Sequence, residues 1–479
     1  MPSTKKNSRA AKRLIKADDL LKYVFVSEPQ ISPDGSRIVF TRKHIGEKNE
    51  YLTNLWMVDS RGRSAARQFT SGGKDHSPRW SRDGQRIAFI GGREKTKPQI
   101  FTISPSGGEA TALTKLPEGS IGAIRWSPDG SMIVASFRET DPEWTEKAKA
   151  DRKDRGLSDP PRVLDDWWYR LDGDGYFNAQ RYHLYIVDTK TGKHRDVYSK
   201  DAMGFFTFDW SPDSKRIVIA TNRDKKAMVK SWKDELIVLD PRNGKFKRLN
   251  LPDGVKYGPV WSPDGKHIAY AGRLGNDGLY STENVELWVC ESSGRNARSL
   301  TGKQDYCMMA IAISDSSEVK FAPNIMWSPD SKRVYAQVGW HGEAHIASIG
   351  VRGGELKFHT GGQRIHNMGN CSADGKSLTF TMGDAGGLEN VLVSHTSPSK
   401  VLTLTDFNRE LFSQLILAKP RAAWVKSTDG VRVQTWLLMP PNPKRGKKYP
   451  AVLEIHGGPH AMYGVGFFHA FQMESAKCD

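Results

Sequence analysis

The pentapeptide Trp261-Ser262-Pro263-Asp264-Gly265 recurs along the chain, and that recurrence limits what the chain can fold into. Versions begin at Ile31, Trp80, Trp126, Trp210, Trp261, Trp327 and Cys371, with successive spacings of 49, 46, 84, 51, 66 and 44 residues. A period of about 40–50 residues belongs to solenoids, propellers and arrays. Ser-Pro-Asp-Gly is a tight-turn sequence. Pro fixes φ at the second position, Asp bonds backbone locally, and Gly takes a positive φ without a Cβ clash. Alternating apolar residues follow each turn, as in Ile38 and Phe40, Ile87 and Phe89, Ile217 and Ile219, and Ile268 and Tyr270. Period-two alternation about a short turn predicts a hairpin with one buried face.

A third apolar run follows each hairpin, for example Leu55–Val58, Ile100–Ile103, Leu184–Val187, Leu236–Leu239, Leu287–Cys290, Ile346–Ile349 and Val391–Val393. A polar turn and a short fourth strand come next. Four short strands per unit predict an all-β fold, a seven-bladed β-propeller. No unit covers both of its faces alone, so neighbours must do so.

The copies depart from the pattern in a few places. Arg82 and Ala373 replace Pro, Ser214 and Ser331 replace Gly, and Ile31 and Cys371 replace Trp in the outermost copies. Terminal repeats are expected to be atypical. The five equivalent tryptophans are read as core rather than as a base-stacking platform, because each sits at the same position beside a buried strand.

Lys+Arg 71 against Asp+Glu 54 leaves a net charge of +17, which favours anionic partners non-specifically. Residues 1–16 carry Lys5, Lys6, Arg9, Lys12, Arg13 and Lys16 without an acid and are expected to be a basic disordered arm. A nucleic-acid-binding tail is the competing reading, but no groove or stacking motif supports a specific nucleic acid. Cys290, Cys307, Cys371 and Cys478 show no paired or metal-ligand spacing, which points to a reducing compartment. Neither a signal-peptide run nor a long apolar stretch is present, so a cytoplasmic protein with no membrane partner is expected.

Two stretches resemble metal motifs. Asp172-Gly173-Asp174-Gly175 lacks the third oxygen ligand and distal Glu of a calcium loop, and reads as a turn. It lies in a long insertion, about residues 138–182, expected on the working face of the ring, with a helical stretch from Glu143 to Arg155. His341-Gly342-Glu343-Ala344-His345 lacks the Glu directly after the first His, and the helix, that a zinc peptidase needs. Neither a metal nor another cofactor is expected.

The texture changes after the last repeat. Ala422–Lys426 and Val431–Met439 flank the turn Thr428-Asp429-Gly430. Tyr449–Ile455 is a near-continuous apolar run, the mark of a strand covered on both faces. It leads into His456-Gly457-Gly458-Pro459-His460. Glycines after a buried strand let the backbone turn and aim N–H groups at an anion, as in esterase oxyanion loops.

Seven such repeats followed by a strand and His-Gly-Gly-Pro-His resemble the prolyl oligopeptidase family of serine peptidases. The acylaminoacyl-peptidase-like branch is nearest, through Ala17–Leu20, Trp168-Tyr169-Arg170 and His456–Tyr463. The resemblance implies a propeller over residues 17–405 and, over 406–479, the first part of an α/β-hydrolase domain. It also implies cleavage of short or N-acylated peptides by a Ser-Asp-His triad. Gly457 and Gly458 are the oxyanion-hole candidates. The family carries its nucleophile downstream on Gly-x-Ser-x-Gly. No serine here has Gly at both −2 and +2, so no catalytic triad residue is assigned.

The expectation is therefore a peptidase truncated before its serine and inactive alone, with the 406–479 stub loosely held. A propeller-only module that binds peptide or protein is the alternative. The residues do not set the oligomeric state.

Overall fold

A computed structural model describes residues 11–93, 97–276, 283–309, 312–316, 322–396, 399–457 and 461–477. The described chain is mostly β. Its first sheet is antiparallel and runs in chain order through Val24–Ile31, Arg37–Ile45, Tyr51–Asp59 and Arg67–Gln68. Sheets of the same order begin at His76, Gly119, Thr207 and Lys256. The sixth and seventh units, beginning at Ile325 and Ile365, join into one larger sheet through the parallel pair Ala344↔Ile365.

The repeated turn owes its geometry to the serine as much as to Pro, Asp and Gly. In every copy the serine hydroxyl donates to the turn aspartate at 2.5–2.6 Å. It also accepts, at 2.9–3.1 Å, the N–H of the residue five positions on. The serines are buried, so neither bond competes with water. Where Ser214 and Ser331 replace glycine they keep the left-handed backbone, with φ of 60° and 59°. Each hydroxyl there accepts the backbone N–H of an aspartate in a neighbouring turn, Asp129 and Asp264 respectively. That bond offsets part of the strain of a non-glycine residue at positive φ.

The tryptophans are structural. The indoles of Trp80, Trp126, Trp210 and Trp327 donate to the carbonyls of Gln30, Arg79, Arg125 and Val260, each on the preceding sheet. Trp261 is as buried as Trp210 and Trp327, but its indole nitrogen has no partner among the described residues. Between these seams lie cores such as Ile217, Ile219, Ile237 and Leu239 against Val134 and Ile186.

The first and last sheets also meet. Asn370 takes the Ile31 N–H at 2.7 Å and returns its amide to the Ile31 carbonyl at 3.1 Å. Asn408 does the same for Val24, at 2.9 and 2.7 Å. Val391 and Val393 pack with Ile31, Ile38 and Phe40.

At the amino-terminal side, residues 1–10 lie outside the described residues. The stretch expected to be a disordered arm is folded from Arg13 onward: Arg13–Leu14 pairs in parallel with Leu415–Ile416. Arg13 grips the buried Asp19 carboxylate through two bonds, which holds that carboxyl below its usual range. The insertion carries a helix over Glu146–Asp154, capped by the Thr145 hydroxyl. Asp-Gly-Asp-Gly forms the turn of a small hairpin, Arg170–Leu171 with Gly175–Tyr176, and Asp174 is engaged by Arg138 at 2.7 and 2.9 Å. No helix among the described residues is long and apolar enough to cross a membrane.

Candidate active site

The segment after residue 405 lies against one end of the sheets. Each sheet has an equivalent connection from its second strand to its third. In the sixth sheet that connection is the turn His341-Gly342; in the third it is the whole insertion. A Cβ at Gly342 would come within 2.5 Å of the Trp436 ring, so the turn and the stub meet where only glycine fits. Val465 N–H donates to Gly342 O at 3.0 Å, and Gln434 to His341 O at 3.1 Å. The stub thus docks on the sixth sheet's counterpart of the connection that carries the 138–182 insertion in the third.

The stub hairpin forms as the sequence predicts, Pro420–Lys426 with Arg432–Leu438. The next element does not. Tyr449–Ile455 was expected to be a buried strand, yet it is irregular, and Val452, Leu453 and Ile455 are 71, 83 and 79% exposed. A strand needs partners for its N–H and C=O groups, and among the described residues none lies beside this run.

The last part of the stub is held firmly, against the expectation of loose attachment throughout. The helix His469–Lys477 starts on Asp315, whose carboxylate accepts the N–H groups of His469 and Ala470 at 2.9 and 2.7 Å. Gln472 exchanges two hydrogen bonds with the Ala418 backbone, and Ser475 donates to Met439 O. Phe467 packs in a cluster with Tyr23, Leu388 and Leu415. Burial lowers the His469 pKa, opposed in part by Asp315 and Asp19.

Between the exposed run and this anchor lies the glycine loop. Gly457 is exposed, and a Cβ there would meet nothing within 4 Å among the described residues. His456 Nδ1–H donates to Gly457 O at 3.0 Å, and its ring meets Tyr463 edge-on at 5.3 Å. Trp436 Nε1 donates to Tyr463 O, so the loop is tied back to the stub hairpin. Gly458 and His460 lie outside the described residues.

The Ser–His hydrogen bonds of the described residues belong to the sheets. Ser348 meets His359 and Ser377 meets His395, both at 2.8 Å, while Ser77 meets His76 at 3.1 Å. Ser348 is fully buried and also accepts from Arg333, so it is a structural hydroxyl rather than a nucleophile. His345 is buried with Nε2 on Glu343 at 2.8 Å, while the exposed His341 stacks on Trp340 at 3.8 Å. No group of three metal-binding side chains is present among the described residues.

Sequence reasoning anticipated the stub hairpin but missed Asp315, Gln472, Tyr23 and the Trp340-His341-Gly342 turn. The only signal was the tight Gly342 beside two aromatics, and it does not name its partner.

Residues 21–159 match the PD40 family model, described as the TolB beta propeller domain. The chain is 28% identical over 470 residues to the uncharacterized peptidase YuxL of Bacillus subtilis (strain 168), spanning 97% of this chain and 70% of that protein. It is 25% identical over 456 residues to dipeptidyl-peptidase 5 of Porphyromonas gingivalis, spanning 91% of this chain and 62% of that one. A solved acylaminoacyl peptidase in complex with Z-Gly-Gly-Phe-chloromethyl ketone superposes with a TM-score of 0.72 at 18% identity, over 96% of this chain and 65% of that chain. The chain carries a propeller domain, and its relatives and structural neighbours are peptidases of the acylaminoacyl-peptidase and prolyl-oligopeptidase kind.

Proposed function

We propose that these residues are the propeller and the oxyanion-loop part of a serine peptidase acting on short or N-acylated peptides. In this reading the seven four-stranded units close as a seven-bladed propeller over residues 17–405. Residues 406–479 are the first part of an α/β-hydrolase domain. The observation that carries the reading is the docking of residues 462–477 across the strand-two ends. On this reading the His456-Gly457 loop and the insertion share the end where peptide enters.

Gly457 N–H, with Gly458, would donate to the oxygen of a peptide carbonyl as it becomes tetrahedral. Donors fixed before reaction need no reorganisation when charge develops, which is where such holes gain their effect. A serine, its base and an acid must supply the attack, and no Gly-x-Ser-x-Gly is present in the 479 residues. The 479-residue chain is therefore expected to bind acyl-peptide without cleaving it.

Purified chain incubated with an N-acetyl-peptide p-nitroanilide and, separately, a fluorophosphonate probe tests this. The expected result is no nitroaniline release and no labelling, with measurable peptide binding. Release abolished by the fluorophosphonate would overturn the inactivity; absence of any peptide binding would overturn the reading itself.

A further inference from the structure

The His341–His345 stretch holds no metal, and its first residue has a different setting. The rings of Phe358, Tyr306, Trp340, His341 and Trp424 follow one another at centroid separations of 5.4, 4.6, 3.8 and 5.0 Å. The Arg432 guanidinium lies 4.9 Å over the far ring, Trp424. The strip crosses a seam: Phe358, Trp340 and His341 belong to the sixth sheet and its turn, while Trp424 and Arg432 belong to the stub hairpin. Its edge is open, with Phe358 and Trp424 respectively 38 and 42% exposed.

His341 has φ +49°, in the left-handed region. Non-glycine residues hold that conformation at a cost and cluster where the side chain is needed. Here the backbone places an imidazole between two indoles at the surface, where a core has no use for it.

The middle of the strip is tied to the segment that carries the candidate oxyanion loop. Gly342, next to His341, bonds Val465, and Tyr463 two residues earlier meets His456 beside Gly457. We propose that the Trp340–His341–Trp424 strip is a substrate subsite that takes an aromatic or large aliphatic side chain of a peptide, an inference that rests on the peptidase reading. Its chemistry favours that occupant. The exposed groups are aromatic rings, which gain from apolar and aromatic contact. Arg432 adds N–H donors at the strip's end, suited to the carbonyls of a peptide lying along it.

The test is calorimetric titration of the 479-residue chain with N-acetyl-Ala-Phe-Ala-amide and N-acetyl-Ala-Ala-Ala-amide, compared with His341→Gly, Trp424→Ala and Trp424→Phe. The Phe peptide is expected to bind the native chain about tenfold more tightly. His341→Gly and Trp424→Ala should remove that preference and leave the Ala peptide unchanged, and Trp424→Phe should keep most of it. Glycine accepts positive φ, so His341→Gly should melt no earlier than the native chain while binding the Phe peptide less well. Equal binding of the two peptides by the native chain, or full preference in His341→Gly and Trp424→Ala, would overturn the subsite and leave the peptidase reading standing. Binding of neither peptide would remove both.

Discussion

The Tyr23 hydroxyl and His469 Nδ1 lie 2.7 Å apart, in a buried contact that joins the lead-in to the first sheet with the helix of the stub. The other ring nitrogen, Nε2, is buried without a partner among the described residues, so the imidazole is poorly placed to hold a proton. Burial lowers the His469 pKa from 6.5, against the opposing pull of Asp315 and Asp19. The folded form thus binds fewer protons than the unfolded one below about pH 6.5. Stability from this group is present above that pH and is lost as pH falls toward the folded value. Hydrogen exchange over residues 469–477 should accelerate as pH falls from 7 to 5, after correction for intrinsic rates. Tyr23→Phe, which leaves Nδ1 unpaired, should lower stability by about 1–3 kcal/mol at pH 7.

The tryptophan seams make a comparative prediction. Trp327 donates its indole N–H to Val260 O at 3.1 Å, whereas the Trp261 nitrogen is buried and has no partner among the described residues. Trp→Phe removes comparable ring volume at both sites. At Trp327 it also removes the indole bond to Val260 O, worth about 0.5–1.5 kcal/mol, while at Trp261 it removes a donor that has no partner among the described residues. Denaturant midpoints should fall clearly further for Trp327→Phe than for Trp261→Phe.

The turn serines should matter more than their exposed neighbours. Ser262 is buried, donates to Asp264 and accepts from His267 N–H. Ser262→Ala should cost about 1–3 kcal/mol by thermal unfolding, the range for orphaning buried partners. The carboxyls of Asp83, Asp330 and Asp374 are held below their usual range, first by the serine hydroxyls and then by backbone N–H groups. Their contribution is present above about pH 3.8 and is lost as pH falls below it, so an acid scan should show cooperative loss of the sheets there.

Gly342 sits at a close approach between sheets and stub. At φ +75° and with the Trp436 ring 2.5 Å from a Cβ position, Gly342→Ala must displace the stub hairpin. Limited proteolysis should cut the native chain within 440–457 and spare 461–477, and Gly342→Ala should open both segments while the sheets resist.

The repeats were legible because each is written locally. Ser262 to His267 closes its turn within five residues, so the pentapeptide alone foretells the hairpin, and the indole of Trp327 has a matching carbonyl because the sheets are equivalent. Tyr449–Ile455 read as a buried strand from its apolar side chains, but pairing is set by partners elsewhere in the chain. The helix His469–Lys477 went unread for the same reason: its N-terminal cap, Asp315, lies 154 residues upstream of His469. Asn370 and Asn408, which bond the first strand from more than 300 residues away, carry no local signal at all.

The most direct measurement is photo-crosslinking of the 479-residue chain with an N-acetyl-peptide bearing benzoylphenylalanine, mapped by mass spectrometry. Crosslinks within 138–182, 340–342 and 456–463, on intact peptide, are the predicted result. Crosslinks concentrated on the opposite end, at the Ser-Pro-Asp-Gly turns such as 32–35 and 262–265, would contradict it.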